Sequence, residues 1–425
     1  MNKPTNTFSK YYAISVIGAL FFIFGFITWL NATLIPYLKI SCELTNFESL
    51  FVAFAFYISY FVLALPSSWI LKKTGFRDGM SWGLVVMAVG SILFIPAALL
   101  RAYPVFLIGL FIQGAGLSIL QTASNPYVTI LGPIESAAKR ISIMGIANKI
   151  AGIISPLILG TIVLKNADTI TEKIQLMNAV EKAAELDALS NRVILPYIII
   201  ASSLMFLALL IKASKLPEIE QEEDDISSES AQTHKSRKRL TQYPYLWLGA
   251  MAIFFYVGAE VISVDTIINY GNSIGIEFKT SKFFASLTLF AMVLGYILGI
   301  VLIPKYIKQD KALIFMTILA IIFTLIAILS SGFTSVLFIA LLGFANAIMW
   351  PAIWPLSIQG LGRFTKTGSA LLIMGIAGGA VLPLVYGYLS DIPSIGTHYA
   401  YLLIVPCYLY ILFFALKGHK IGKRS

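Results

Sequence analysis

Long apolar runs alternate with short polar segments along the whole chain. Twelve of these runs have roughly the 17–25 residues that an α-helix needs to cross the hydrocarbon core of a membrane. They lie near residues 11–38, 50–71, 80–100, 104–131, 141–164, 193–212, 244–270, 283–304, 312–329, 334–359, 367–389 and 399–416. The pattern predicts an all-α membrane protein with 12 transmembrane helices. The first run lacks a cleavage site of small residues, so it is expected to be a retained helix.

One polar segment divides the chain in two. Residues 213–243 run from the acidic block EIEQEEDD (218–225) through serine-rich sequence to HKSRKRL (234–240). A segment of this composition cannot bury a hydrophobic core. We expect a flexible cytoplasmic linker between a six-helix half at 1–212 and a second half at 244–425.

A second polar segment, residues 167–190, separates the fifth and sixth runs. It is helix-prone, with apolar positions at Ile170, Ile174, Met177 and Val180. The spacing predicts a surface helix on the outer side of the membrane. A lid or a partner-binding role is the alternative interpretation.

Three segments of the first half recur in the same order in the second half. They are NPYVTILGP (125–133), IMGIA (143–147) and PLILG (156–160), matched by WPLSIQGLG (354–362), IMGIA (373–377) and PLVYG (383–387). The repeat indicates two parallel six-helix halves related by an axis along the membrane normal. This arrangement resembles the major facilitator fold, in which the substrate binds near mid-membrane between the halves.

Composition narrows the function classes. Of 425 residues, 58% are hydrophobic and 12% charged, whereas a soluble domain has about 25% charged residues. Two cysteines and three histidines provide neither a disulfide framework nor a zinc site. A membrane enzyme would need clustered acids, histidines or metal ligands at a membrane face, and the sequence offers no such cluster. We therefore expect no enzymatic activity and no bound cofactor.

The distribution of the net charge of +10 along the chain indicates how the protein is oriented in the membrane. Most Lys and Arg residues fall in loops on the side that carries both termini. The positive-inside rule places that side, and hence both termini, in the cytoplasm. The basic charge therefore requires no nucleic-acid partner; the expected partners are the lipid bilayer and a small substrate, and a monomer is expected to suffice.

The repeat also pairs polar with aromatic positions. In the alignment of the two repeats, Gln121 corresponds to Trp350 and Asn125 corresponds to Trp354. In each half the two residues are spaced i, i+4 and therefore share one helix face. Amides facing indole rings suit a sugar, whose hydroxyls need hydrogen-bond partners and whose C–H face stacks on rings. Packing and interhelix hydrogen bonds are the alternative interpretation. Further polar candidates for substrate binding at membrane depth are Asn31, Asn148, Asn346 and Gln359.

Three charged residues fall inside predicted helices: Lys149, Glu260 and Asp265. Such residues are costly in a membrane and usually face the bundle interior. Glu260 is the first candidate for binding a coupling cation, with structural pairing as its alternative. A direct Lys149–Glu260 bridge is compatible with their depths, whereas snorkelling is the alternative for Lys149. Asp265 lies near the outer end, where exposure to water is its alternative.

Four motifs resemble the fucose/glucose–galactose symporter family of the major facilitator superfamily, most closely its bacterial glucose/galactose branch. They are FFIFGFITWLNATLIPYLK (21–39), LQTASNPYVTILGP (120–133), YVGAEV (256–261) and GSALLIMGIAGGAVLPLVYGYLSD (368–391). The resemblance implies uptake of a monosaccharide across the bacterial inner membrane with Na⁺ or H⁺. An exporter of sugars or drugs is the alternative, and the sugar can be glucose, galactose, mannose, fucose or N-acetylglucosamine.

The resemblance also allows individual functional positions of the family to be compared with residues of this chain. Fucose–proton members place acidic residues where this chain has Ala32 and Gln121, so both of those protonation sites are neutral here. Asn31 and Asn125 keep the family's asparagines, and Glu260 in YVGAEV is the natural substitute carboxylate.

A gating motif of the superfamily is also present in altered form. The segment KKTGFRDG (72–79) resembles D-R-x-G-R-R. It keeps Gly75 and Arg77, but Lys72 stands where the motif has its Asp. The resemblance therefore implies a gating role for Gly75 and Arg77 and puts gating through that carboxylate in doubt.

Overall fold

The computed structural model describes residues 7–130, 137–214, 240–303, 305–361 and 364–422. Within these ranges the chain is helical apart from short turns and bends. Most of the predicted linker, residues 215–239, lies outside the described residues.

In the described part, ten α-helices lie before residue 215 and eleven after residue 239. The N-terminal helices are α1 (Thr7–Trp29), α2 (Asn31–Ser41), α3 (Asn46–Ser49), α4 (Phe51–Ile92), α5 (Phe94–Leu99), α6 (Tyr103–Ile130), α7 (Ala137–Val163), α8 (Ala167–Lys173), α9 (Ala179–Asn191) and α10 (Ile194–Ala213). The C-terminal helices are α11 (Pro244–Asp265), α12 (Ile267–Ser273), α13 (Phe278–Ser281), α14 (Phe284–Leu302), α15 (Gln309–Leu329), α16 (Gly332–Asn346), α17 (Met349–Ile358), α18 (Thr365–Met374), α19 (Gly378–Asp391), α20 (Gly396–Tyr399) and α21 (Ile404–Leu416). Short 3₁₀-helices lie at Leu240–Gln242, Gly375–Ala377, Ala400–Leu403 and Gly418–Lys420.

The described helices form 12 segments that are long and apolar enough to cross a membrane, which confirms the predicted number. Since 12 is even, the first and last helices begin and end at the same face of the bundle. We call this the terminal face and the opposite end the far face. Large apolar side chains such as Leu195 and Phe206 remain exposed on the bundle surface, where lipid would solvate them.

Six predicted helices are interrupted. The run 80–100 divides at Leu93, and the runs 367–389 and 399–416 contain the 3₁₀-helices Gly375–Ala377 and Ala400–Leu403. The run 11–38 divides at Leu30 into α1 and α2, and the run 244–270 divides at Thr266 into α11 and α12. The run 334–359 divides between α16 and α17. The sequence pattern had predicted one continuous helix in each case, and in this respect it was wrong.

Local chemistry accounts for two of these interruptions. A proline ring clashes with the carbonyl group four residues earlier, which for Pro351 is that of Ala347, where α16 ends. The Thr266 hydroxyl donates to the carbonyl of Ile262 at 2.7 Å. Such a bond from a side chain to the preceding turn bends a helix.

The polar insert at 167–190 forms two helices, α8 and α9, and not the single surface helix that was predicted. Asn178 is the N-cap residue of α9. Its side chain accepts hydrogen bonds from the N–H groups of Val180 and Glu181 at the start of this helix. Ile170 is buried in the core, whereas Val180 is 80% exposed. The apolar positions therefore do not share one face.

Gly75 divides the long helix α4 between its two membrane segments. Its φ of 78° and ψ of 176° lie in a region that is essentially restricted to glycine. Two residues later, Arg77 Nε lies 3.1 Å from an Asp78 carboxylate oxygen. The two residues predicted for gating thus lie at the connection between the second and third membrane segments.

We expect Gly75→Ala to lower the free energy of unfolding by about 1–3 kcal/mol, because alanine is strained in this backbone conformation. Thermal unfolding in detergent measures the loss. Gly18→Ala is the matched control, since a Cβ there would make only an ordinary contact with Met144, at 3.8 Å. Equal melting temperatures for the two variants would contradict the strain argument.

Two carboxylates connect the N-terminal and C-terminal helices at the far face. Asp391, at the end of α19, accepts hydrogen bonds from the N–H groups of Asn46 and Phe47 at 3.0 and 2.8 Å, at the start of α3. Asp168, in α8, accepts from the N–H groups of 278–279 at 2.8 and 3.3 Å, at the start of α13. Carboxylates are stabilising at helix N-termini. We call these contacts the far-face caps; they join the two sets of helices at that face.

Candidate functional site

A cavity of about 170 Å³ lies between the N-terminal and C-terminal helices. Its wall is built by α1, α4, α6 and α7 on one side and by α11, α14, α17 and the 3₁₀-helix Gly375–Ala377 on the other. The interruptions that separate α1 from α2 and α16 from α17 lie close to this wall.

Five of the residues predicted from the sequence line the cavity: Gln121, Asn148, Lys149, Glu260 and Trp350. The first three come from the N-terminal helices and the last two from the C-terminal helices. The repeat therefore predicted correctly that Gln121 and Trp350 share one cavity.

Two amide side chains have partners in the cavity wall. The Gln121 amide donates to the Tyr60 hydroxyl at 3.1 Å. The Asn148 amide oxygen accepts from the Trp29 indole at 3.3 Å, and its nitrogen donates to the carbonyl of Phe21 at 3.4 Å. Each amide keeps further hydrogen-bonding capacity, which a polar ligand could use.

A buried ion pair crosses the cavity between the two sets of helices. The Lys149 ammonium lies 2.9 Å from a Glu260 carboxylate oxygen, and the two side chains are only 8% and 9% exposed. The same ammonium lies 4.0 Å from the centroid of a Trp29 ring, in cation–π contact. The expected bridge is confirmed, and the snorkelling alternative for Lys149 is wrong.

Asp265, the last residue of α11, is fully buried. Neither of its carboxylate oxygens has a hydrogen-bond partner among the described residues. The interpretation that Asp265 is simply exposed to water at the outer end is therefore wrong. Asn31 is also buried, and both polar atoms of its amide are likewise unpartnered in the described structure.

Aromatic side chains that the sequence interpretation missed form much of the cavity wall. They are Phe21, Phe24, Trp29, Tyr57, Tyr60, Tyr256 and Tyr296. Tyr57 and Tyr60 stack on each other, with ring centroids 6.4 Å apart. Their i, i+3 spacing was the available signal, but in a chain with 20 tyrosines it does not single out these two.

Trp354 does not line the described cavity wall but supports a residue that does. Its ring stacks on that of Trp350, with centroids 5.3 Å apart and an interplanar angle of 26°. The predicted common face of this pair is confirmed. The side chain of Asn125, the counterpart of Trp354 in the repeat, lies outside the described residues.

Two further predicted binding residues make contacts away from the described cavity wall. Asn346 is buried and accepts a hydrogen bond from the Tyr408 hydroxyl at 3.0 Å. The carbonyl of Gln359, at the end of α17, accepts from the Tyr245 hydroxyl at 2.6 Å. Both contacts join helices of the C-terminal set.

No group of three or more His, Cys, Asp or Glu side chains comes together among the described residues as a metal site would need. The polar chemistry at the cavity thus consists of amides, hydroxyls and one ion pair, and the buried Asp265 carboxylate lies further along α11, outside the lining residues. Such a set can bind an uncharged polar solute and hold or release a monovalent cation.

The sequence model of the Major Facilitator Superfamily matches residues 17–383. The chain belongs to the major facilitator superfamily. The resemblance drawn from the four motifs is confirmed at this level, as are the all-helical fold and the 12 spans.

Within the superfamily, this chain is similar to transporters of sugars. The glucose/galactose transporter of Brucella abortus biovar 1 (strain 9-941) is 35% identical over 424 residues, which cover 99% of this chain and 97% of that protein. The L-fucose-proton symporter of Escherichia coli (strain K12) is 31% identical over 409 residues, covering 94% and 92%. The solved structure of FucP, a superfamily transporter in the outward conformation, matches 98% of this chain and 100% of its own with a TM-score of 0.72 and 28% identity.

Proposed function

We propose that this chain imports a monosaccharide of the glucose/galactose type across the bacterial inner membrane by symport with H⁺ or Na⁺. The observation that carries the proposal is the cavity between the two sets of helices, with amides on one wall and an indole on the other. The relatives named as sugar transporters support it, since they match along nearly the whole chain. We propose further that both termini are cytoplasmic and that one chain is the transporting unit.

The cavity wall suits a small polyhydroxylated solute. At about 170 Å³, the cavity is smaller than the roughly 300–1,000 Å³ of pockets that hold drug-sized ligands. In our proposal Gln121 and Asn148 hydrogen-bond to sugar hydroxyls, and Trp350 packs against the C–H face of the ring. Trp354 positions Trp350 by stacking on it from behind.

Alternating access follows from the two sets of helices. In this structure the far-face caps join the sets beyond the cavity. We propose that residues 1–212 and 244–425 rock as two bodies, so that the caps break when the cavity opens to the far face. The connection at Gly75 and Arg77 is proposed to take part in gating at the terminal face.

Purified protein in liposomes tests the proposal. Uptake of radiolabelled hexoses is measured with an inward Na⁺ gradient, with an inward H⁺ gradient and with neither. Gradient-dependent accumulation of at least one hexose is expected, and a panel of glucose, galactose, mannose, fucose and N-acetylglucosamine identifies it. Efflux driven by an opposing gradient with no accumulation would instead favour an exporter of sugars or drugs, and no transport of any hexose would refute the proposal.

We expect Trp350→Ala to raise the half-saturating sugar concentration about 2–10-fold. An aromatic stacking contact is worth about 0.5–1.5 kcal/mol beyond the area it buries, and the alanine variant loses this contact. Trp82→Ala is the control, because Trp82 is 56% exposed on the bundle surface. Initial uptake rates over a range of sugar concentrations measure both, and an unchanged value for Trp350→Ala would remove this residue from the binding site.

A further inference from the structure

The buried charged groups of α7 and α11 do not balance. Lys149 supplies one positive charge, and Glu260 and Asp265 supply two negative charges when ionised. The single ammonium is committed to Glu260 at 2.9 Å. Asp265 is left without any hydrogen-bond partner among the described residues, although it is fully buried.

An ionised carboxylate in this position is not stable alone. Burial of an unpaired charge costs several kcal/mol even after the protein relaxes, and such a group takes up a proton or a counter-ion instead. The charged groups that act on Asp265 are Glu260 and Lys149, which already neutralise each other. One monovalent cation per chain therefore completes the charge balance.

Buried, uncharged oxygen atoms without hydrogen-bond partners among the described residues occur on neighbouring elements. The Tyr57 hydroxyl is buried without a hydrogen-bond partner among the described residues, and it lies within electrostatic range of both Asp265 and Glu260. Tyr57 also lines the cavity. Helix α2 packs against both α11 and α12, which meet at Asp265, and it carries the unpartnered oxygens of Asn31 and Thr33.

We propose that Asp265 binds the coupling cation, with a stoichiometry of one cation per sugar. Its carboxylate takes up one H⁺ to become a neutral carboxylic acid, or it coordinates one Na⁺ with oxygens of neighbouring groups. This inference rests on the proposed function for its coupling role, and it moves the cation from Glu260, the first candidate in the sequence, to the carboxylate that has no partner.

The first test needs no sugar. In purified protein, a protonated Asp265 gives a carboxylic acid C=O infrared band, and a sodium site gives saturable binding of one radioactive Na⁺ per chain. Either signal is expected in the wild type and is expected to be lost in Asp265→Asn. The infrared band identifies H⁺ and the radioactive ion identifies Na⁺, whereas a wild type that shows neither signal overturns the proposal.

The second test uses liposomes and the wild type beside two variants. Asp265→Asn is expected to reduce the accumulation ratio to 1 while sugar counterflow, which needs no gradient, stays within about threefold. Ser263→Ala, a buried position on the same helix, is the control and should accumulate sugar like the wild type. Accumulation by Asp265→Asn at the wild-type ratio overturns the proposal.

A third measurement protects the proposal against a variant that does not fold. The reversal potential of wild-type transport should correspond to one positive charge moved per sugar. A potential that corresponds to no charge or to two charges per sugar contradicts the proposal. If the wild type shows no counterflow of any hexose, the proposed sugar function fails, whereas the binding measurement without sugar still decides the role of Asp265.

Discussion

Glu260→Gln should abolish gradient-driven accumulation of sugar, with the accumulation ratio falling to 1 while counterflow remains measurable. In the wild type Glu260 holds the Lys149 ammonium at 2.9 Å. Without that carboxylate, the ammonium is free to neutralise Asp265, on which it already acts electrostatically. The transporter then no longer needs a cation to balance its charge, so sugar moves uncoupled.

The double variant Lys149→Met/Glu260→Gln separates this explanation from direct cation binding by Glu260. It removes the ion pair and leaves Asp265 as the unpaired charge, so accumulation measured relative to counterflow should return. A double variant that exchanges sugar but still fails to accumulate it would show that Glu260 itself carries the cation. Removing one partner of a buried pair usually costs about 3–5 kcal/mol; we expect less for Glu260→Gln, because Asp265 can replace the lost partner.

Removal of both far-face caps should open the cavity towards that face. Replacing a capping side chain by alanine costs about 1 kcal/mol, so Asp168→Ala combined with Asp391→Ala should raise the ratio of open to closed forms roughly 30-fold. The reporter is Leu50→Cys in a chain whose two native cysteines are replaced by serine. Leu50 is 2% exposed, and one of its methyl carbons lies 2.8 Å from where a Cβ at Gly387 would be, across the contact between the two sets of helices.

The rate of labelling by a membrane-impermeant maleimide measures this opening. Asp187→Ala is the matched control, because Asp187 pairs with Arg101 at 3.5 Å within the N-terminal part of the chain alone. The control should leave the rate unchanged, whereas the double variant should raise it by the factor above. An equal rate in both would show that the caps do not hold the far face closed.

The sequence predicted the spans and their repeat because both depend on length and apolar composition. It did not predict the interruption at Thr266, since that bend depends on a hydroxyl bonding back to Ile262. Threonine at a helix position does not reveal where its hydroxyl points. The two helices of the 167–190 insert were missed for a similar reason, because the cap at Asn178 outweighs the apolar spacing.

The ion pair was predictable because a charged side chain inside a membrane is energetically costly and usually pairs with an opposite charge. Lys149 and Glu260 stood out for this reason, and their depths suggested a bridge. The tyrosines of the cavity wall did not stand out, since aromatic residues are common throughout this chain. The isolation of Asp265 could not be foreseen either, because it depends on which carboxylate the single lysine contacts.

The far-face caps have a consequence for how this protein tolerates mutation. Each cap joins one side-chain carboxylate to two backbone N–H groups, so only one partner is specified by a side chain. Most substitutions at Phe47 or Lys279 would preserve the donors, and proline is the residue that removes one. The caps should therefore restrict sequence drift at Asp168 and Asp391 but not at Phe47 or Lys279.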